Sequence, residues 1–259
     1  AKTDGTYLYV LKDKSDQIAV IDTRDNRMKQ TATITVEDVS EIQEMYLDIE
    51  RNQLIAVCDG YVGGKWNDDD YGYGQRANTT AVTYDISDRE NPKEVGRVSQ
   101  SGYYNSSRIA DGYLYLFSDY YITLDGITAK NPKSYIPLVN DNLIKETDIC
   151  LPSISKADMY SIITSVSLEN PNETAHSKAL LADGGNLYVS NDNIYFYENV
   201  WQYSGKDVTT IRKVSYESGK LTAGAQCKID GYINDSFSID EYDGYLRVVV
   251  TDGDTNSVY

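Results

Sequence analysis

Repetition is the feature that most narrows what this chain can fold into. A turn followed by a run of β-branched and aromatic residues occurs as Asp4-Gly5-Thr6-Tyr7-Leu8-Tyr9-Val10. It returns as Asp111-Gly112-Tyr113-Leu114-Tyr115-Leu116 and as Asp243-Gly244-Tyr245-Leu246-Arg247-Val248. Weaker copies are Asn52-Gln53-Leu54-Ile55-Ala56-Val57 and Asn193-Ile194-Tyr195-Phe196-Tyr197. Asp-Gly supplies the positive φ of a tight hairpin turn, and the residues behind it are those a strand prefers. Repeated units of this kind bury their apolar faces only by stacking on one another.

A second element alternates with the first: a strand, a polar turn and another strand. Ala81 to Ile86 and Glu94 to Val98 flank Ser87-Asp88-Arg89-Glu90-Asn91-Pro92, a run of turn formers. Comparable pairs are Ile18–Asp22 with Lys29–Ile34, Ile162–Leu168 with Thr174–Leu181, and Ile211–Tyr216 with Leu221–Ile229. Preceding strands are predicted over 42–47, 103–109, 187–190 and 233–239. The pattern predicts an all-β fold, a β-propeller of about four four-stranded antiparallel blades plus a partial one, with a period of about 45–75 residues. The one helical signal, Ser155 to Tyr160, is about a turn long, which excludes tandem α/β units. Residues 1–259 read as a single propeller segment that begins and ends inside a repeat. Such a segment is an incomplete propeller, since closure is what removes its sheet edges.

Insertions interrupt the period near 59–79 and 120–159. Blade insertions map to loops, and loops carry binding more often than strands do. The first holds Trp66, Tyr71 and Tyr73 among glycines and acids. These rings are the candidate ligand-binding residues, because an exposed ring stacks on a sugar face or a basic peptide. Asp252-Gly253-Asp254-Thr255-Asn256 resembles the first half of a calcium loop, which makes Asp252, Asp254 and Asn256 the candidate Ca²⁺ ligands. The loop lacks the glycine at its sixth position and the glutamate at its twelfth, and Asp-Gly-Asp is equally an ordinary hairpin turn. No other cofactor is expected.

The chain carries 24 Lys and Arg against 40 Asp and Glu, a formal net charge of −16. That excess repels phosphate, so nucleic acid and anionic lipid surfaces are excluded as partners. No apolar run reaches the ~18 residues of a membrane span, so no membrane insertion by this segment is expected. His176 is the only histidine, and nothing near it resembles a nucleophile elbow or a catalytic triad, so a bland surface role is expected. Phosphate-binding glycine loops are absent. Cys58, Cys150 and Cys227 are too few for a disulfide scaffold and allow one bridge at most, in three alternative pairings. Cys58 reads as a small buried side chain in an apolar strand. The 24 tyrosines suit strands, with the ring packed and the hydroxyl wet, and also suit a binding surface.

Four stretches carry a resemblance. They are Lys2 to Leu11, Tyr84 to Lys93, Ser101 to Arg108 and, most specifically, Phe237 to Val248. Together they resemble the bacterial secreted β-propeller domain family distantly related to WD-type repeats. The resemblance runs from residue 2 to about 250 and is poor in the insertions. It implies an extracellular or envelope-anchored bacterial protein with further blades downstream, and it brings no catalytic residue to carry over. Arg108 and Arg247 would be structural anchors or exposed strand residues. The expected function is an extracytoplasmic binding or scaffolding module for a glycan or protein at the cell surface, without catalysis. The alternative is a carbohydrate-active enzyme, which would need a carboxylate pair about 5–10 Å apart.

Overall fold

The computed structural model describes residues 1–13, 15–24, 28–61, 77–122, 130–151, 157–182, 185–201 and 207–259. Their strands form four antiparallel four-stranded meanders and a three-stranded one, in chain order. Blade 1 holds β1 (Lys2–Thr3), β2 (Tyr7–Leu11), β3 (Gln17–Asp22) and β4 (Lys29–Thr35). Blade 2 holds β5 (Glu41–Asp48), β6 (Gln53–Tyr61), β7 (Ala77–Asp85) and β8 (Lys93–Ser101). Blade 3 holds β9 (Tyr103–Ala110), β10 (Tyr113–Tyr121), β14 (Met159–Ser167) and β15 (Thr174–Ala182). Blade 4 holds β16 (Asn186–Val189), β17 (Asn193–Val200), β18 (Val208–Glu217) and β19 (Lys220–Asp230). Blade 5 holds β20 (Ile239–Tyr242), β21 (Tyr245–Asp252) and β22 (Thr255–Val258). No pairing among the described residues joins the first sheet to the last.

Turn chemistry sets the hairpins. Asp111-Gly112, Ser218-Gly219 and Asp243-Gly244 are two-residue loops with positive φ at both positions, the type I′ geometry that matches strand twist. Asp4-Gly5 departs from them, because Thr3 pairs with Leu8 and the loop is longer. There the Asp4 carboxylate organises the turn. Its Oδ1 accepts from the Thr6 and Tyr7 N–H groups at 3.0 and 2.7 Å, and its Oδ2 accepts from Arg89 Nη2 of blade 2 at 3.1 Å.

The Asp4 side chain is only 3% exposed. Burial opposes its ionisation, yet the hydrogen bonds from Thr6, Tyr7 and Arg89 outweigh burial and hold its carboxyl below the usual range. A depressed folded-state pKa stabilises the fold above the unfolded value near ~3.9 and is lost as pH falls through the folded one. Asp4→Asn is therefore expected to lower stability by about 2 kcal/mol at pH 7. Its stability–pH curve below about pH 4 should be flatter than that of the parent. Denaturant titrations at pH 7 and in the acid range check both; parallel acid limbs would refute the assignment.

The core lies between sheets. Leu54, Ala56 and Cys58 of β6 pack with Tyr9, Ile18 and Val20 of blade 1, while Ile55 and Val57 pack with Leu114, Leu116 and Ile162 of blade 3. The opposite face of β10 sends Tyr115 and Phe117 to Ile194 and Phe196 of blade 4. Tyr195 and Tyr197 meet Val248 and Val250 of blade 5. These second strands are apolar along both faces because both faces are covered. Several tyrosines, among them Tyr9, Tyr115, Tyr195, Tyr197 and Tyr216, are core residues.

The first strands form the inner edge and touch across every interface. Lys2 Nζ lies 3.7 Å from Glu44 Oε1. Tyr46 Oη donates to Ser107 O at 2.8 Å. Arg108 Nη1 donates to Val189 O at 3.2 Å. The Glu241 N–H donates to Tyr188 Oη at 3.3 Å. Arg108 is thus an anchor between blades, whereas Arg247 is exposed, pairs with Asp240 and sits over the Tyr242 ring at 5.0 Å.

Three expectations change. The first strand of the last blade is Ile239–Tyr242, not 233–239. Asp235 caps a 3₁₀ turn over Ser236–Ser238 through a 2.9 Å bond from the Phe237 N–H, which delays the strand. The helical signal at 155–160 gives way to β14, where Met159 and Tyr160 pair with Ala182 and Leu181; residues 155 and 156 lie outside the described set. The insertions are shorter than predicted, because β6 pairs with β7 out to Tyr61–Ala77 and β10 with β14 out to Tyr121–Met159.

The second insertion contributes strands of its own. The hairpin of β11 (Leu138–Val139) and β12 (Asn142–Leu143) adds to the outer edge of blade 2 through β8. Its Asn140-Asp141 turn has positive φ at both residues. Strand β13 (Ile149–Cys150) then pairs in parallel with β15. One connection covers the outer edges of two blades, which blunts them against pairing with another chain.

Candidate binding face

The second strands of blades 2, 3 and 4 end in the same way. Asp59, Asp119 and Asn199 stand opposite Thr79, Ser161 and Thr209. Each pair lies where the chain crosses to the next blade. Asp59 Oδ1 accepts from the Tyr104 N–H at 2.7 Å, and Thr79 Oγ1 donates to Gly102 O at 3.0 Å. Asp119 accepts from Ser161 Oγ at 3.1 Å and from Asn105 Nδ2 at 2.6 Å; Asn105 also donates to Gly185 O at 2.7 Å. Asn199 accepts from the Ile233 N–H at 3.1 Å and donates to Ile233 O at 2.9 Å, while Thr209 Oγ1 donates to Gly231 O at 2.7 Å. A polar clamp therefore ties each blade to the start of its neighbour.

Two residues beyond each clamp the strand presents an aromatic side chain: Tyr61, Tyr121 and Trp201. Tyr121 is 48% exposed and Trp201 67%. The crossings add Tyr103 and Tyr232. The Trp201 and Tyr232 rings lie 4.9 Å apart at 40°. Burial raises the Tyr103 hydroxyl pKa, and the neighbouring Tyr61, Asp59 and Tyr121 add to the shift. Burial also raises the carboxyl pKa of Asp59 and Asp119, partly offset by the bonds they accept. The outcome is a rim of aromatic rings at one end of the blades, backed by polar clamps. One signal could have found it: Asp59-Gly60-Tyr61, Asp119-Tyr120-Tyr121 and Asn199-Val200-Trp201 stand at equal distance from the starts of their strands.

Trp66, Tyr71 and Tyr73 lie outside the described residues, in the connection between Tyr61 and Ala77. The calcium reading of Asp252, Asp254 and Asn256 gives way to a hairpin. Asp252 pairs with Thr255 around a two-residue turn in which Gly253 has φ +57°. Asn256 pairs with Thr251, so Asp252 and Asn256 point to opposite faces of the sheet. Asn256 Oδ1 instead accepts from Thr251 Oγ1 at 2.9 Å. Among the described residues no group of three His, Cys, Asp or Glu side chains is placed to bind a metal. The three cysteines are unbridged, with Cys58 buried and Cys227 exposed. No described helix is long and apolar enough to cross a membrane.

His176 is a link between blades rather than a surface residue. Its Nδ1 accepts from the Leu221 N–H of blade 4 at 3.0 Å, which places the ring proton on Nε2, 3.2 Å from Asp148 Oδ1. Lys178 Nζ shares that oxygen at 3.2 Å. Both ring nitrogens are engaged in holding the fold.

A family model described as Beta propeller domain matches residues 1–259. An uncharacterized protein of Methanocaldococcus jannaschii is 33% identical over 78 residues, covering 27% of this chain and 12% of that protein. Among solved structures, the Pyrococcus horikoshii acylaminoacyl peptidase aligns with a TM-score of 0.42 at 10% identity, over 100% of this chain and 37% of that one. A functionally unknown protein from Desulfotomaculum acetoxidans aligns with a TM-score of 0.29 at 13% identity, over 91% of this chain and 70% of that one.

Proposed function

This chain belongs to the Beta propeller domain family, and on that premise we propose that it is a binding module on the outside of a bacterial cell. It retains a glycan on the rim of Tyr61, Tyr103, Tyr121, Trp201 and Tyr232 and performs no chemistry on it. The observation that carries this reading is the exposure of Tyr121 and Trp201 at matching positions of successive blades. Rings so placed offer flat apolar faces beside hydroxyls and an indole N–H, the combination that a sugar ring stacks on. Clamped crossings supply rigid support, which limits the ordering cost of binding. The net charge of −16 disfavours phosphate-rich partners. The extracytoplasmic setting rests on the family resemblance of the repeat motifs.

The whole chain applied to a glycan array should retain at least one ligand without releasing products. Trp201→Ala and Tyr121→Ala should each weaken that ligand about tenfold in calorimetric titration, the equivalent of ~1.4 kcal/mol. Unchanged affinity in both variants would overturn the rim as the binding surface. Release of new reducing ends would instead favour the carbohydrate-active enzyme.

A further inference from the structure

Blade 1 is shorter than blade 2. Strands β2, β3 and β4 run five to seven residues, against nine for each of β6, β7 and β8. Val82 and Cys58 pack on blade 1. Further along the same face come Thr80, which pairs with Ser99 and Cys58, and Asn78, which pairs with Ser101 and Gly60. Here a cleft of about 610 Å³ opens. Its other walls are Asp38 from the crossing between blades 1 and 2, Tyr61 of the rim, and Asn140 and Asp141 of the β11–β12 turn.

The chemistry of this cleft is specific. The hydroxyls of Thr80, Ser99 and Tyr61 and the carboxylates of Asp38 and Asp141 make no hydrogen bond or ion pair among the described residues. Arg97 is committed elsewhere, with Nε and Nη2 on Glu94 at 2.9 Å each and Nη1 on Glu37 O at 3.2 Å. It leaves the two carboxylates uncompensated. Asn78 keeps a buried Oδ1 without a partner. Gly60 makes room for it, since a Cβ there would fall 2.6 Å from that oxygen. The Asn78 oxygen is sealed against Gly60, so it is the open hydroxyls of Thr80, Ser99 and Tyr61 that favour a ligand rich in hydroxyls, and the two carboxylates that favour a cation.

We propose that this cleft holds an amino-sugar unit, its hydroxyls facing Thr80 and Ser99, its ring beside Tyr61 and its ammonium between Asp38 and Asp141. The proposal rests on the glycan-binding reading of the rim and names a second, charged subsite adjoining it. Anionic sugars and phosphorylated ligands are repelled by the same two carboxylates.

Calorimetric titration of the whole chain with a glucosamine trimer, an N-acetylglucosamine trimer and trilysine tests it. Asp38→Asn with Asp141→Asn is a safe double variant, because both positions have positive φ (59° and 60°) that asparagine tolerates. The glucosamine trimer should bind, and the double variant should weaken it at least about tenfold, with a loss that shrinks as salt rises. The N-acetylated trimer should bind more weakly than the amine and respond less than twofold to the double variant. Equal binding of the two trimers would refute the ammonium contact. Trilysine binding as tightly, with the same dependence on Asp38 and Asp141, would refute a sugar in favour of a basic peptide. Dependence on Trp201 but not on the cleft pair would refute the cleft and leave the rim standing. Dependence on the cleft pair alone would keep the cleft and refute the rim. No heat with either sugar would refute both.

Discussion

Glu198→Ala is expected to cost about 3–5 kcal/mol of folding stability, because it breaks a buried ion pair on one side only. Glu198 and Arg212 have side chains 4% and 7% exposed, with Arg212 Nη1 donating to Glu198 Oε1 at 2.8 Å. Arg212 pairs across strands with Phe196, which faces blade 3, so the guanidinium lies between blades 3 and 4. Among the described residues its Nε and Nη2 lack partners, and a guanidinium cannot shed its proton to escape burial. Removing Glu198 leaves that charge without the carboxylate it is paired with. Replacing both members, Glu198→Leu with Arg212→Met, should recover most of the loss by substituting packing for charge. Urea unfolding of the parent, the single and the double variant measures this through the midpoint, at unchanged slope. A single variant within about 1 kcal/mol of the parent would show the pair to be well solvated, against the geometry.

Gly102→Ala is expected to cost about 3 kcal/mol, and Gly112→Ala about 1 kcal/mol. Both glycines have positive φ, +96° and +78°. Only Gly102 is enclosed. A Cβ there would lie 2.6 Å from Asp119 O, 2.7 Å from Asp119 C and 2.8 Å from Tyr120 N, all backbone atoms that cannot rotate away. At Gly112 nothing lies within 4 Å. Gly102 is also held by its own bonds, its N–H donating to Ala77 O at 2.7 Å and its carbonyl accepting from Thr79. Shifting it displaces the crossing that carries Tyr103, so ligand retention by the rim should fall together with stability. Thermal unfolding of the two variants side by side decides the matter; equal losses would refute the clamp as a close backbone approach.

Much of the architecture was legible because it depends on local chemistry. Asp111-Gly112 and Asp243-Gly244 announce type I′ turns, since few residue pairs accept two successive positive φ values. The apolar runs behind them announce strands. Asn140-Asp141 between short apolar stretches carried the same signal for the β11–β12 hairpin, but its partner, β8, lies about 40 residues away and no local pattern names it. Asp4-Gly5 resembled the other turns while forming a longer one, in which the Asp4 carboxylate accepts from the Thr6 and Tyr7 N–H groups and from Arg89 on the next blade.

The candidate site was legible only in part. Trp66, Tyr71 and Tyr73 stood out by composition, whereas Tyr61, Tyr121 and Trp201 looked like the ends of ordinary strands. Their shared exposure follows from where the strands stop relative to the clamps, a relation across blades. Asp252 and Asn256 looked like calcium ligands by spacing, but strand pleating sets them on opposite faces. His176 looked bland because its partners, Asp148 and the Leu221 N–H, come from another connection and another blade.

The linear order of residues was enough to determine that this chain makes short antiparallel sheets, one after another, without a helical layer. Those traits come from turn residues and side-chain preferences that act within a few positions. Which face of each strand is buried, where Asp119 and Arg212 find their partners, and how a short first blade leaves a polar cleft against a longer second one were decided by tertiary structure. Packing between sheets depends on strand lengths and registers compared across separate blades, and no local stretch of the chain contains that comparison.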